Sequence, residues 1–470
     1  MHHILIYHHQ KCVKTYFTRG LLEATRIPVF YGTAKVHKPI TPDVKFRPIN
    51  SQCGSLSALV STYLDVQLQP LTTSMPAYLK NSQDLLQSLQ RLPTLPPSTK
   101  LFTSDATSMY TNINPNEGLP TIEKYLNKYK HECNSLPPIQ FLMQLLTLVM
   151  KVNVFTFGNT WWTQLIGTAM GTPCACIYAT IFYSWFERTY LLPKYHHHLL
   201  LYKRQIDDIF GVSTPSRHSK LTYKDFTNDL NKVSNLNWKS SNLLSSVNFL
   251  DLTITLQDNG TITTKTYQKK ENLFLYIPPQ SAHPPGMIKS LIYNLLRTYF
   301  IQNTTTSDFQ HTVQRFYKRL LDRGYTTSTI HPIFSKYLPK IISDPTILSL
   351  KDYNYSNIHP PSSKPSTTDS ERQFFHLEFH PKDISRNRIQ QLYKTHCNLP
   401  DKDNNSFLTG YENKHGNLMK INKLTIAYSR PKNLQDHLCP SKLPTPPSLP
   451  SITSYINTTL YKNLTHHPTT

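Results

Sequence analysis

The sequence predicts an α+β fold: a mixed centre of short strands and helices, then a helical segment, then a small C-terminal segment. Three observations carry this. Strand-like and helix-like apolar patterns alternate irregularly over the first 270 or so residues. Two hairpin turns, Gly158-Asn159 and Asn259-Gly260, each lie between apolar runs, and Asn-Gly is the strongest short hairpin signal in the chain. From Pro285 onward the apolar positions fall at helical spacing: Ile288, Leu291, Ile292, Leu295 and Leu296, then Phe309, Val313, Phe316, Leu320 and Leu321.

Taken in order, Leu101 to Asp105 reads as a short strand ending in an acid. Ile139 to Lys151 reads as a helix, with Phe141, Leu142, Leu145, Leu148 and Val149 on one face. Val152–Phe157 and Thr160–Leu165 flank the first hairpin turn. Pro173 to Tyr190 is an apolar, glycine-free helix. Leu199 to Val212 reads as a tight hairpin with Asp207-Asp208 at its turn, and Thr222 to Val233 as an amphipathic helix. Phe249–Leu256 and Thr261–Tyr267 flank the Asn-Gly turn. His359 to Pro365 is a linker by composition, and Pro440 to Pro450, with five prolines, opens a tail expected not to fold.

Of 470 residues, 50 are Lys or Arg and 28 Asp or Glu, a formal charge of +22. Charged residues at 17% and hydrophobic ones at 38% exclude a disordered chain and argue against a membrane protein. The apolar stretch Leu142–Met150 is interrupted by Gln144 and Thr147 and is too short to span a bilayer. The N-terminal MHHILIYHHQK is not a signal peptide, since its apolar part is three residues long. Seven scattered cysteines fit reduced thiols and an intracellular location. The charge excess makes nucleic acid the leading partner class, through counter-ion release from phosphates; a generic basic protein is the plainer reading.

Acids are scarce, so a double Asp inside the apolar run Ile206-Asp207-Asp208-Ile209-Phe210 calls for an explanation. Adjacent carboxylates in a half-buried hairpin are costly unless a cation neutralises them. Asp105, at the end of its own strand, is the third candidate. Three carboxylates on neighbouring strand ends would suit two Mg²⁺ ions and phosphoryl transfer, with Mn²⁺ as a substitute. A solvated Asp-Asp turn is the alternative.

Further blocks surround these acids. Tyr110 follows in Asp105-Ala106-Thr107-Ser108-Met109-Tyr110. Gly167-Thr168-Ala169-Met170-Gly171-Thr172-Pro173 opens a helix. Upstream lie Tyr31-Gly32-Thr33-Ala34-Lys35-Val36-His37-Lys38-Pro39 and Lys45-Phe46-Arg47-Pro48-Ile49. In this order the blocks resemble a reverse transcriptase, most closely that of Penelope-like retroelements, relatives of telomerase. Val247 to Leu252, Asp322 to Tyr325 and Leu424 to Leu434 are similar to further segments of those elements.

The resemblance implies a right-hand polymerase: an N-terminal part and fingers over 1–98, a palm over 99–270 and a helical thumb over 271–350. A linker over 351–370, a connector over 371–440 and a Pro-rich tail over 441–470 would follow. It implies copying of an RNA template onto a DNA primer with dNTPs, and nuclear residence. Asp105, Asp207 and Asp208 would be the catalytic acids, holding metal with the Ala106 carbonyl. Tyr110 would screen the 2′ face of the sugar, and Gly171 would let the backbone approach base and template. Arg47 would grip the triphosphate, since an Arg fork bonds two phosphate oxygens. Lys35 and Lys38 would contact phosphates, and Lys265, Lys269 and Lys270 would track the primer strand. Lys239 aligns loosely with a lysine that protonates pyrophosphate, and a surface lysine is the plainer reading.

The family usually has an aromatic residue where Gln205 stands, beneath the primer end. No GIY-YIG endonuclease pair is recognisable, and no longer N-terminal extension is expected. These departures keep a second reading open, a decayed or domesticated remnant that binds nucleic acid without polymerising; a nuclease using the same acids leaves Tyr110 and Arg47 unexplained. Three motifs are set aside. Asp401 to Glu412 imitates a calcium loop but has Ser406 where Gly is needed. His196-His197-His198 reads as a turn, and Cys174 with Cys176 lacks a second pair for zinc. The basic balance predicts that binding to RNA or DNA weakens steeply with added salt. A flat plot of log affinity against log salt would remove phosphate contacts as the source of binding.

Overall fold

A computed structural model of the chain describes residues 27–34, 44, 46–52, 54–133, 135–168, 171–216, 219–269, 272–281, 283, 286–351, 372–378, 384–397 and 423–429. Lys35, Lys38, Lys270, the calcium-like loop, the linker after Lys351 and the Pro-rich tail lie outside these residues. The chain divides into two compact units, one of residues 1–279 and 288–362, the other of 280–287 and 363–470.

The first unit begins with strands β1 (Val29–Ala34) and β2 (Phe46–Ser51), then helices α1 (Leu56–Leu68) and α2 (Ser82–Gln90). Strand β3 (Lys100–Ala106) leads into a single helical turn, α3 (Met109–Asn112), and helices α4 (Pro115–Tyr129) and α5 (Ile139–Lys151). The hairpin β4 (Val154–Phe157) and β5 (Thr160–Thr163) precedes α6 (Ala175–Phe186). Then come β6 (Leu199–Gln205), β7 (Asp208–Ser213), α7 (Tyr223–Lys232) and β8 (Trp238–Ser240). Three strands, β9 (Ser246–Phe249), β10 (Leu252–Leu256) and β11 (Ile262–Thr266), end the mixed part. Helices α8 (Met287–Gln302), α9 (Thr306–Asp322), α10 (Thr327–Ser343) and α11 (Pro345–Lys351) follow. In the second unit, β12 (Arg372–Glu378) pairs in parallel with β13 (Lys423–Ser429), and α12 (Arg386–Cys397) lies between them in sequence. The expected α+β class is the class observed.

The central sheet has the order β6-β7-β3-β8, antiparallel throughout. Both of its faces are buried, because successive strand residues point to opposite sides. Phe102 and Ile209 join a core with Leu64 of α1, Tyr125 of α4, Leu142 of α5 and Tyr178 of α6. Their neighbours Leu101 and Phe210 join a second core with Phe249, Ile254, Leu296 of α8 and Phe316 of α9. The upstream sheet, β2-β1-β4-β5, is tied by buried amides: Asn50 and Gln52 both donate to Asn153 Oδ1 at 2.9 Å.

Three sequence expectations change. The helix expected over Pro173–Tyr190 starts at Ala175, widens into a π-helical turn at Glu187–Leu191 and closes with an α-helical turn at Leu192–Tyr195. The strand expected over Phe249–Leu256 breaks at Leu250, whose φ is 52°, so Phe249 folds back against Leu252 in a hairpin of its own. The doublet is also not wholly within its turn: Asp207 is, whereas Asp208 is the first residue of β7.

Gly211 sits opposite Phe102 in the β3–β7 register. A β-carbon there would overlap the Phe102 ring, which packs at 5.1 Å on Tyr223 and 5.4 Å on Phe226. Gly211→Ala is therefore expected to destabilise the chain by about 1–3 kcal/mol through overpacking. Urea unfolding of Gly211→Ala and of Gly211→Ala with Phe102→Leu tests this. The second change should recover part of the loss, and an unshifted midpoint in the single variant would contradict the packing.

Candidate active site

The three acids meet through strand register. Asp208 pairs with Gln205 on one side and with Asp105 on the other, and Asp105 pairs with Lys239. Gln205, Asp208, Asp105 and Lys239 thus form one row across the sheet, on the face that further along carries Leu101 and Phe210. Asp207 stands in the turn beside the row, and its carbonyl accepts from the Ala106 N–H at 2.8 Å. The loosely aligned Lys239 is exposed at the end of the row, directly across from Asp105.

The electrostatics follow from this crowding. Burial pushes the Asp208 carboxyl up to about 6, helped by the charges of Asp207 and Asp105 and a hydrogen bond with Asp105, while Lys269 opposes the rise. Burial also raises Asp207; a backbone hydrogen bond and the charges of Arg204 and Arg47 work against it, and Asp105 adds repulsion. Arg47, exposed on β2, therefore lies within electrostatic reach of Asp207, and Lys269 of Asp208.

Tyr110 belongs to α3, entered through Ser108 at φ 54°. Its hydroxyl lies 3.1 Å from Cys176 Sγ on α6, and burial, then the Cys176 contact and the charge of Asp207, raise its phenol. Gly171 has φ 116°, and a β-carbon would run into the Asn50 carbonyl of β2. This glycine is thus needed for close approach to the chain's own backbone, whatever else comes near it. Gly167, at φ 85°, similarly lies against Thr111. Gln205 donates from Nε2 to the Lys80 carbonyl at 3.0 Å. Lys265 and Lys269 are exposed. The discounted His196–His198 form the turn before β6, and Cys174 is buried while Cys176 is exposed.

Sequence reasoning missed two residues beneath the doublet. Arg204 and Glu187 form a fully buried, bidentate ion pair, Nε to Oε1 at 2.6 Å and a terminal nitrogen to Oε2 at 2.8 Å. The available signal was a charged residue on the inward side of each of two apolar runs.

Among the described residues, no three or more His, Cys, Asp or Glu side chains are gathered closely enough to form a ready metal cage. The donor set still fits Mg²⁺. That ion takes oxygen ligands and commonly uses one or two carboxylates with substrate phosphates and water rather than a closed protein site. The pressure that raises Asp208 is what a divalent cation would relieve.

By sequence, residues 275–335 match the family model described as Animal helix-turn-helix domain. This span includes α8, α9 and the turn into α10, where Gly324 has φ 100° and Tyr325 Oη donates to the Ile277 carbonyl at 2.9 Å. No curated protein matches the chain. Among solved structures, the fold is similar to apo telomerase from Candida tropicalis truncated from its C-terminal domain, at 14% identity and TM-score 0.38, over 54% of this chain and 59% of that one. It is also similar to telomerase from Candida albicans in complex with a fragment of telomeric RNA, at 11% identity and TM-score 0.48, over 73% and 63%. The RNA-dependent RNA polymerase of a human picobirnavirus is similar at 12% identity and TM-score 0.45, over 70% and 64%. The chain spans about three-fifths of the length of those telomerase structures. Among the described residues no helix is long and apolar enough to cross a membrane.

The raised Asp208 carboxyl has a stability consequence. Its folded value of about 6 lies above the ordinary 3.8, so this group favours the fold below about pH 4 and loses that contribution as pH rises through 6. In EDTA at pH 7.5, Asp208→Asn should melt higher than the parent, by on the order of 1 kcal/mol after solvent screening. The gap should close toward pH 4. Thermal melts across that range measure it, and a pH-independent gap would contradict the assignment.

Proposed function

We propose that this chain is an RNA-directed DNA polymerase of a Penelope-like retroelement, extending a primer 3′-hydroxyl with dNTPs and acting in the nucleus on chromosomal DNA. The observation that carries the reading is the convergence on Asp207: two further carboxylates, the Arg47 charge and the Tyr110 ring come to it from separate elements. A solvated Asp-Asp turn does not call for an arginine from one sheet and a tyrosine from a separate helical turn.

Asp105, Asp207 and Asp208, with the Ala106 carbonyl, would hold two Mg²⁺ ions. When bound, these supply charge neutralisation for the phosphates and acidify the attacking hydroxyl. The protein's own groups orient the reactants. Arg47 binds triphosphate oxygens through its fork, with Lys35 and Lys38 as further phosphate contacts. Tyr110, held toward Cys176, closes the space a 2′-hydroxyl would need and so favours deoxynucleotides. Gly171 keeps the backbone thin where base and template pass. Lys265, Lys269 and Lys270 contact the primer backbone, and Gln205 lies under the primer end. The grip on the RNA–DNA duplex is through phosphates, and the templating base selects the nucleotide by pairing.

Primer extension on an RNA template tests the reading. The parent chain should extend with Mg²⁺ or Mn²⁺, and Asp207→Ala should lose at least 10³-fold in rate while holding the duplex within a few-fold at equal salt. A parent chain that binds duplex but never extends would leave the remnant reading in its place.

A further inference from the structure

The β6–β7 hairpin carries its acids on one face and a buried charge on the other. Residues 202 and 204 of β6 point into the helical core, opposite to Gln205. There Arg204, among the largest fully buried side chains, uses its guanidinium in three directions. It forks onto both oxygens of Glu187, donates to the Thr180 carbonyl of α6 at 3.1 Å, and donates to the Ile206 carbonyl at 2.9 Å. Tyr202 Oη completes the cluster by donating to Glu187 Oε1 at 2.9 Å.

Stability does not explain this cluster. A buried ion pair holds a protein together no better than a well-packed apolar pair of similar volume. Geometry does explain it. Ile206 is β-branched and yet has φ 55°, a conformation such residues avoid. Its carbonyl, which begins the peptide leading into Asp207, is held by Arg204. The next peptide is held too, since the Asp207 carbonyl accepts from the Ala106 N–H at 2.8 Å. Both peptide planes flanking the Asp207 α-carbon are therefore pinned, and with them the direction in which its carboxylate leaves the backbone. Glu187, the anchor, opens the π-helical turn after α6, and single π-turns of this kind collect at functional sites.

We infer that Arg204 and Glu187 are a positioning pair that aims the Asp207 carboxylate, and that metal binding at the acid row depends on this pair. The inference rests on the polymerase reading for its catalytic consequence but not for its metal-binding one. Arginine is required because one side chain must reach Glu187, Thr180 and Ile206 together. A lysine has a single nitrogen and can keep the charge pairing but not the turn.

The test removes the polar cluster as a unit. Glu187→Leu, Tyr202→Phe and Arg204→Met combined leave no orphaned partner side chain, so the triple variant should keep its fold, read by its melting temperature. Binding of Mn²⁺ alone, measured by electron paramagnetic resonance without nucleotide or nucleic acid, should weaken about tenfold. In primer extension kcat should fall about 10²-fold with the dNTP KM within threefold, the pattern of a misaimed group rather than a lost binding contact. Arg204→Lys is the second variant should the triple one fail to fold, and it should show the same loss of Mn²⁺ binding. Mn²⁺ affinity within twofold of the parent in either folded variant would overturn the inference. A parent chain that binds Mn²⁺ but extends no primer would overturn the polymerase reading, while the Mn²⁺ comparison would still decide the role of the pair.

Discussion

Three carboxylates cannot share one edge of a half-buried sheet without something taking up their mutual repulsion. That constraint orders the rest of the fold. The sheet is covered on both faces by apolar residues, so the acids sit where the covering ends and water or a cation can reach them. The basic excess of the chain then has a local meaning: Arg47, Lys269 and Arg204 each lower the cost of an ionised doublet, and they do so from three directions. The helical face also supplies stiffness. Without Phe102, Tyr178 and their neighbours packed beneath, the register that places Asp105 opposite Asp208 would have little to fix it, because a one-residue slip would send every side chain to the other face.

Most of this framework was legible from pattern. The helix at Ile139–Lys151, the Gly158-Asn159 hairpin and the helical run after residue 285 follow from periodicity and turn chemistry, which are local signals. The acids were legible because charges inside an apolar run are conspicuous. What escaped were features decided by tertiary contact. The fold-back at Leu250-Asp251 carries no glycine or proline; the pairing of Asn248 with Thr253 and of Val247 with Ile254 imposes it. Helix α6 widens into its π-turn at Glu187, which is bonded to Arg204, a partner 17 residues away that no local rule identifies. Nothing local to Gly171 points to its structural constraint, which lies 121 residues upstream, at the carbonyl of Asn50.

The approach of Gly171 to Asn50 also couples the two sheets. Asn50 belongs to β2, the strand that carries Arg47, and its side chain is bonded to Asn153. Gly171 belongs to the loop that opens α6, whose end carries Glu187. A side chain at 171 would therefore push on the strand bearing the arginine as well as on the loop itself. The upstream sheet and the acid row are in this sense one mechanical unit, joined by a glycine, a buried amide cluster and an ion pair.

Gln205 has a structural role at the edge of the central sheet. β6 is the edge strand of the central sheet, and an open edge is a liability. Here the segment before α2 covers it. The Arg204 N–H donates to the Ala77 carbonyl at 2.6 Å, the Leu79 N–H donates to the Arg204 carbonyl at 2.9 Å, and Lys203 Nζ donates to the Pro76 carbonyl at 3.0 Å. The backbone ladder stops there, one residue short of the turn. The Gln205 amide carries it one step further by donating to the Lys80 carbonyl. A phenylalanine could not make that bond, and the Lys80 carbonyl would lose this partner beside the Asp207-Asp208 doublet. The glutamine thus extends the covering of the sheet edge to the point nearest the acids.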